Sequence, residues 1–248
     1  MSTLDWAAPF LFAPFAGSFL GVLVQRLPAG RGVIAGRSRC ETCHRPLPAR
    51  DLIPVLSFLL RRGRCRFCDS PINPLHLWIE LGALLVPAGA LWHARTPAGL
   101  WADCVLGWGL LALGWTDLRR WVLPDALTLP LLLAGLAAAA ALTPDRLGTD
   151  ALGAAAGWGG FALIGTLYRR LRGREGLGGG DAKLLGAGGA WLGVAALPTV
   201  VLAAALAGLV AALSLWRPGR RLSASTAIPF GPFLALAIWA IRLSMRGQ

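Results

Sequence analysis

Two aspartates stand at the ends of long apolar stretches, where a carboxylate is costly to bury and usually serves a function. Asp117 follows the apolar run 100–116, and Asp181 follows the glycine-rich stretch 176–180 and leads into another apolar run. Two carboxyl groups that share a proton can activate a water molecule and polarise a carbonyl group, as in aspartic proteases. The pattern predicts a hydrolytic site if the fold brings the two aspartates together.

The composition favours a membrane protein that crosses the bilayer several times. Of the 248 residues, 56% are hydrophobic and 15% are charged, which is unusual for a soluble globular domain. Because a transmembrane helix needs about 20 apolar residues, we predict an all-α protein with about eight transmembrane helices. The predicted spans are 7–24, 77–93, 98–116, 122–142, 148–168, 182–196, 198–216 and 227–243.

Basic residues predict the orientation of these spans. Of the 24 lysines and arginines, all but Arg95, Arg146, Arg242 and Arg246 fall in loops on one side. The positive-inside rule makes that side cytoplasmic and places both termini outside. The net charge of +12 then reflects topology and attraction to anionic lipids, so we expect no nucleic-acid partner.

The apolar stretch 182–215 could form one long helix or two short ones. Basic clusters flank it on both sides, so a single crossing would place one cluster outside. We therefore predict a hairpin that turns near residues 193–198, with short, tilted or partly re-entrant members.

A cytoplasmic loop, residues 25–76, contains two C-x-x-C pairs, Cys40-Glu-Thr-Cys43 and Cys65-Arg-Phe-Cys68. Four thiolates in this spacing predict one closed tetrahedral zinc site. Metal binding could supply much of the folding free energy of so small a loop. A reducing compartment disfavours disulfides, but a redox or metal-free role stays open.

His44 could replace a cysteine ligand, although a solvated loop histidine is the simpler interpretation; Cys104 is interpreted as a small packing residue.

For either aspartate alone, the simpler interpretation is a carboxylate at a span end that faces water or pairs with a nearby arginine or Lys183. The glycines before Asp181 favour a functional role, because glycine permits positive φ angles and close backbone approach. A phosphate loop would need G-K-[ST], and a dinucleotide loop would need a preceding strand, and neither is present in the sequence pattern. Asp125, directly after Pro124, is typical of a helix start.

The order of several short motifs resembles the type IV prepilin peptidase family over nearly the whole chain. The motifs are Gly17-Ser-Phe-Leu20, Arg26-Leu-Pro28, the two C-x-x-C pairs around Ile53-Pro-Val-Leu-Ser-Phe58, Asp117 followed by Leu123-Pro-Asp-Ala-Leu-Thr-Leu-Pro130, Glu175-Gly-Leu-Gly-Gly-Gly-Asp-Ala-Lys183, Ala190-Trp-Leu-Gly193 and Ile228-Pro-Phe-Gly-Pro232. Each motif is modest alone, but all of them in this order are very specific.

The resemblance implies that Asp117 and Asp181 are the catalytic pair, with Gly178, Gly180 and Lys183 supporting the G-x-G-D element. It implies cleavage of a prepilin or pseudopilin at the cytoplasmic face, after the glycine that ends a short basic leader. The cysteine-bearing loop is associated with the bifunctional form of the family, which then methylates the new N-terminal amine with S-adenosylmethionine.

Three stretches depart from the family's pattern, all in or near the loop. Gly21 stands where Asn is common, Arg50-Asp51-Leu52 where Tyr-Asp-Asn is common, and Pro74-Leu75-His76 where Arg-Tyr-Pro is usual. Glu80, at the start of the second span, is a candidate contact of the methyl donor, and an ordinary charged residue at a span end is the alternative.

The predicted organisation is a first transmembrane helix, 1–24, the cysteine-bearing loop, 25–76, and a membrane peptidase core, 77–248. We expect a multi-pass protein of the bacterial inner membrane. Three other functions stay open: a G-x-G-D intramembrane protease with unrelated substrates, a small transporter that uses the aspartates as proton or cation sites, and a non-catalytic assembly protein.

Overall fold

The computed structural model describes residues 3–33, 37–173, 176, 178–214 and 228–245. Within these ranges the chain is helical and contains no strand; two isolated antiparallel bridges lie in the cysteine-bearing loop. The helices are α1 (Thr3–Arg26), α2 (Leu56–Leu60), α3 (Leu75–His93), α4 (Pro97–Arg120), α5 (Asp125–Leu142), α6 (Leu147–Arg172), α7 (Gly179–Leu192), α8 (Leu197–Ser214) and α9 (Gly231–Ser244). The predicted all-α fold is confirmed.

Within the described residues, six helical segments are long and apolar enough to cross a membrane. They are Thr3–Ala29, Leu75–His93, Pro97–Arg120, Asp125–Leu142, Pro144–Arg172 and Val194–Ser214. The spans predicted over 182–196 and 227–243 correspond to α7 and α9, which have 14 residues each. At 1.5 Å per residue each is about 21 Å long, shorter than the hydrocarbon core of about 30 Å. Residues 215, 216 and 227 of the predicted spans lie outside the described residues.

The chain divides into two compact units, Met1–Ala112 and Leu113–Gln248. In the first unit, α1 packs closely on α3, because a Cβ atom at Gly17 would lie 2.7 Å from the Cα atom of Glu80. The indole of Trp108 donates a hydrogen bond of 3.0 Å to the carbonyl oxygen of Ala83. Small residues at these positions therefore allow close contact between helix backbones, as is common in membrane proteins.

In the second unit, the short α7 packs against α5, α6 and α9. From Ala182 to Leu192, every residue except Lys183 is buried. A Cβ atom at Gly157 of α6 would lie 2.7 Å from the carbonyl oxygen of Leu185, so glycine lets the two helix backbones touch. This packing fixes the helix whose first turn carries Asp181.

The helix ends between α7 and α8, where the hairpin is predicted to turn. Gly193 ends α7 with φ +79°, and α8 begins at Leu197 after a short 3-10 turn at Val194–Ala196. A glycine in this conformation carries no Cβ penalty, which suits the end of the helix.

Candidate active site and metal centre

Asp117 lies in the last turn of α4 and is buried, with 6% of its surface exposed. Its Oδ2 atom accepts a hydrogen bond of 3.0 Å from the backbone N–H of Gly231. Gly231 is the first residue of α9, where the N–H has no partner within the helix and is available to another acceptor. A Cβ atom at this position would lie 2.6 Å from the same Oδ2 atom. The motif 228–232 therefore supplies a donor and the space for Asp117, a role that the sequence reasoning missed.

Asp181 lies in the first turn of α7, directly after the glycines of the G-x-G-D element. Its backbone N–H donates to the carbonyl oxygen of Gly178 at 3.1 Å, and a Cβ atom on Gly178 would lie 3.0 Å from Oδ2 of Asp181. A Cβ atom on Gly180 would lie 2.8 Å from the side chain of Leu123. These glycines therefore make room for the aspartate and for the segment before α5.

Of the two properties expected of these glycines, close approach is observed and positive φ is not. Gly178 has φ −69° and ψ 138°, a conformation open to any residue. The positive-φ glycines among the described residues are Gly30, Gly63, Gly173 and Gly193. Glu175 and Leu177 of the same motif lie outside the described residues.

The carboxyl groups of Asp117 and Asp181 are near enough to interact electrostatically. Neither forms an ion pair with any residue that the structure describes. Lys183 instead donates to Oδ1 of Asp125 at 2.5 Å, while Asp125 begins α5 as predicted. Within the described part of this unit, the two interacting carboxyl groups have no cationic partner, an arrangement suited to sharing a proton and binding a water molecule.

The four cysteines of the loop form one cluster. The sulfur atoms of Cys40, Cys43, Cys65 and Cys68 all lie within 4.8 Å of one another, and those of Cys40 and Cys68 are 3.8 Å apart. A tetrahedron with Zn–S distances of about 2.3 Å has edges of about 3.8 Å. The cluster therefore fits one four-coordinate metal ion. His44 is exposed and is not part of the cluster.

Two structurally equivalent turns present the sulfur atoms. In the first, the N–H of Cys40 donates to the carbonyl oxygen of Arg45 at 3.1 Å; in the second, the N–H of Cys65 donates to that of Ser70 at 2.9 Å. The isolated bridges, Arg39 with Pro46 and Arg64 with Pro71, close the two turns in the same way. Both turns therefore aim a C-x-x-C pair at a common centre, the construction that a structural zinc site needs.

The cysteine thiols of the cluster differ in pKa. Hydrogen bonding from the backbone of Cys43 lowers the pKa of Cys40 to about 6, so this thiol is largely ionised at neutral pH. The backbone N–H of Arg45 favours the thiolate of Cys43, but burial and the neighbouring sulfur atoms raise its pKa to about 11. Metal binding would displace the remaining protons, because the thiolate is the ligand.

An ion pair ties the second cysteine turn to the rest of the loop. The guanidinium of Arg66 donates to both oxygens of Asp51, at 2.6 Å from Nη2 to Oδ1 and 2.8 Å from Nε to Oδ2. The Arg66 hydrogen bonds lower the pKa of Asp51 below its ordinary value. Asp51 belongs to one of the stretches that depart from the family's pattern, and here it anchors the loop.

Glu80 of α3 is buried, with 8% of its surface exposed. Its Oε2 atom accepts a hydrogen bond of 2.7 Å from the backbone N–H of Val55. Val55 has φ 61°, which is strained for a β-branched residue. The carboxylate therefore holds the Ile53–Phe58 segment in a conformation that the chain would otherwise avoid.

Two departures from the family's pattern meet in space. A Cβ atom at Gly21 of α1 would lie 2.9 Å from Nδ1 of His76, so the glycine makes room for the imidazole. The other ring nitrogen of His76 lies 2.9 Å from Nε2 of Gln25. The imidazole of His76 therefore occupies the space that a side chain at position 21 would need.

The fold and the site together define a helical membrane protein with a paired-carboxylate site and a four-cysteine centre. Residues 11–94 match the Bacterial Peptidase A24 N-terminal domain, and residues 104–213 match the Type IV leader peptidase family. The chain belongs to the type IV leader peptidase family. No solved structure matches the chain significantly.

Curated relatives named prepilin leader peptidase/N-methyltransferase cover most of the chain. The protein from Aeromonas hydrophila is 38% identical over 95% of this chain and 89% of its own length. That from Dickeya chrysanthemi is 40% identical over 93% of this chain and 89% of its own length. That from Burkholderia pseudomallei strain 1026b is 44% identical over 84% of this chain and 67% of its own length.

Proposed function

We propose that this protein is a membrane aspartic endopeptidase that removes the leader peptide from type IV prepilins or from pseudopilins of type II secretion. The observation that carries the proposal is the electrostatic interaction between the carboxyl groups of Asp117 and Asp181, neither of which is ion-paired with a described residue. The match to the type IV leader peptidase family favours this function over that of a transporter or an assembly protein.

The catalytic roles follow from two carboxyl groups that share one proton. One carboxylate takes a proton from water as the water attacks the scissile carbonyl carbon. The protonated partner donates a hydrogen bond to the carbonyl oxygen and then supplies the proton to the leaving amine. The N–H of Gly231 fixes Oδ2 of Asp117, which leaves Oδ1 for water or substrate. Gly178 and Gly180 keep the neighbourhood of Asp181 open for an extended peptide.

The reaction takes place at the cytoplasmic face of the inner membrane. The distribution of basic residues places the cysteine-bearing loop in the cytoplasm and both termini outside. Asp117 ends α4 and Asp181 begins α7, so both carboxyl groups belong to helix ends on the same predicted side.

The second activity is methylation of the new N-terminal amine with S-adenosylmethionine as methyl donor. Residues 25–76 serve this activity, while 77–248 form the peptidase core. Zinc, held by Cys40, Cys43, Cys65 and Cys68, fixes the loop by joining its two turns. In this role the metal is structural and takes no part in cleavage.

Co-expression with a prepilin-like substrate tests the proposal. Mass spectrometry of the mature N-terminus should show a product cut after the leader glycine, with an added methyl mass. Substrates that stay uncut across several prepilins and pseudopilins would overturn the peptidase proposal. A cut but unmethylated product would retain the peptidase and remove the second activity.

A further inference from the structure

The first unit contains a cavity of about 190 Å³ between α1, α3 and the cysteine-bearing loop. Ser18, Gln25, Phe58, His76 and Glu80 are among the residues that line it. The side chain of Arg64, which also lines it, is 59% exposed, so the cavity reaches the surface of this unit. Nothing in the cleavage chemistry proposed above uses this cavity.

Glu80 is the feature of the cavity that points to a ligand. Its carboxylate is buried and accepts hydrogen bonds from the N–H of Val55 and the hydroxyl of Ser18. No lysine, arginine or histidine in the described ranges forms an ion pair with it. A buried carboxylate is costly unless it is paired, so a positively charged ligand in the cavity would complete the site.

Strain at Val55 supports a functional reason for this arrangement. A β-branched residue at φ 61° costs free energy and persists only where its surroundings hold it. Here the hydrogen bond to Glu80 holds it, and it fixes Phe58 three residues later at the wall of the cavity. The segment and the carboxylate are thus preorganised together, which is a property of binding sites rather than of a passive span end.

Most of the other charges around the cavity are positive. Glu41 and Asp51 line it together with five arginines, namely Arg26, Arg39, Arg61, Arg64 and Arg66. Arg61 and Arg66 pair with Asp51, and Arg64 pairs with Asp69. Guanidinium groups bind carboxylates in a fixed geometry. The cavity thus combines a buried negative group, a basic margin and the aromatic surface of Phe58.

We propose that this cavity binds the methyl donor S-adenosylmethionine, with Glu80 facing the positive charge of the ligand. The ligand has a sulfonium and an ammonium group for Glu80, a carboxylate for the arginines and a flat adenine for the apolar wall. Each of its chemical parts therefore has a counterpart in the cavity. This inference rests on the proposed N-methyltransferase activity and gives that activity a site.

Direct binding of S-adenosylmethionine tests the proposal, because its readout does not depend on catalysis. Purified full-length protein in detergent, with zinc present, is equilibrated with radiolabelled S-adenosylmethionine. Glu80→Gln keeps the shape of the side chain and a carbonyl acceptor for the N–H of Val55 but loses the charge. We expect its affinity to fall about tenfold or more, with peptide cleavage unchanged.

Two further variants control for loss of binding through misfolding. Asp103→Asn alters another buried carboxylate of the same unit, which is paired with His93 and does not line the cavity; its affinity should match the wild type. Leu52→Trp introduces bulk at a lining position that is 40% exposed and should abolish binding. Wild-type affinity in either Glu80→Gln or Leu52→Trp would overturn the cavity assignment.

The outcomes separate this inference from the function on which it rests. If the wild type binds the donor and methylates its product while Glu80→Gln binds equally well, the cavity assignment fails alone. If the wild type neither binds the donor nor methylates a cleaved product, the N-methyltransferase proposal fails and the cavity assignment fails with it.

Discussion

Gly231 offers a sharp test of how the site is built, because its only side-chain atom is a hydrogen. In Gly231→Ala, the added Cβ atom would lie 2.6 Å from Oδ2 of Asp117 and 3.0 Å from Cγ. An ordinary contact begins at 3.4 Å, so the carboxyl group or the start of α9 must move by about 0.8 Å. Either movement disturbs the 3.0 Å hydrogen bond that fixes Asp117.

The size of the expected effect follows from that displacement. A misplacement of about 1 Å in a catalytic group can cost on the order of 100-fold in rate, which corresponds to about 2.7 kcal/mol of activation free energy. We therefore expect cleavage by Gly231→Ala to fall about 100-fold, chiefly in kcat. The assay is release of the leader peptide from a purified prepilin in detergent, followed by mass spectrometry.

Gly159→Ala is the matched control, because a Cβ atom at Gly159 of α6 would meet nothing within 4 Å. Alanine also has a higher helix propensity than glycine, so this variant should be at least as stable as the wild type and fully active. The reasoning is refuted if Gly231→Ala, folded and expressed like Gly159→Ala, cleaves within about threefold of the wild-type rate.

Three further outcomes are expected. Cys40→Ser should lose bound zinc by elemental analysis and impair methylation more than cleavage; a wild type without zinc would refute the metal assignment. Asp51→Asn should make the loop more sensitive to limited proteolysis, because it breaks the pair with Arg66. Since the folded pKa of Asp51 is lowered, this pair stabilises fully at neutral pH and fails only as the pH falls below about 4, so wild-type and variant sensitivities should converge there. Lys183→Met should cleave within about threefold of wild type, because Lys183 pairs with the exposed Asp125; a large loss would contradict the assignment of Lys183 to an ion pair outside the catalytic pair.

The elements that sequence predicts well are those with local signals. Apolar runs bounded by charged residues mark the long helices, and glycine at position 193, which has a positive φ, marks the end of α7. The two C-x-x-C pairs predict a four-sulfur cluster because the residue spacing alone dictates the shape of each turn. Asp125 is also predicted correctly as the start of α5.

The contacts that sequence does not predict are those set by tertiary packing. The bond between Gly231 and Asp117 joins residues 114 positions apart, and no local pattern specifies it. The sequence alone suggests that the glycines before Asp181 could adopt positive φ angles. The structure shows instead that Gly178 and Gly180 leave space for Asp181 and Leu123. The contact between Val55 and Glu80 likewise depends on how the loop folds over α3.

The most direct test of the account is cleavage by Asp117→Asn and Asp181→Asn, measured separately on a purified prepilin. Asparagine keeps the shape of each side chain but cannot share the proton, so each variant should lose about 1,000-fold or more of the activity. Asp103→Asn, at a buried aspartate outside the site, should remain active. Substantial cleavage by either of the first two variants would contradict the paired-carboxylate mechanism.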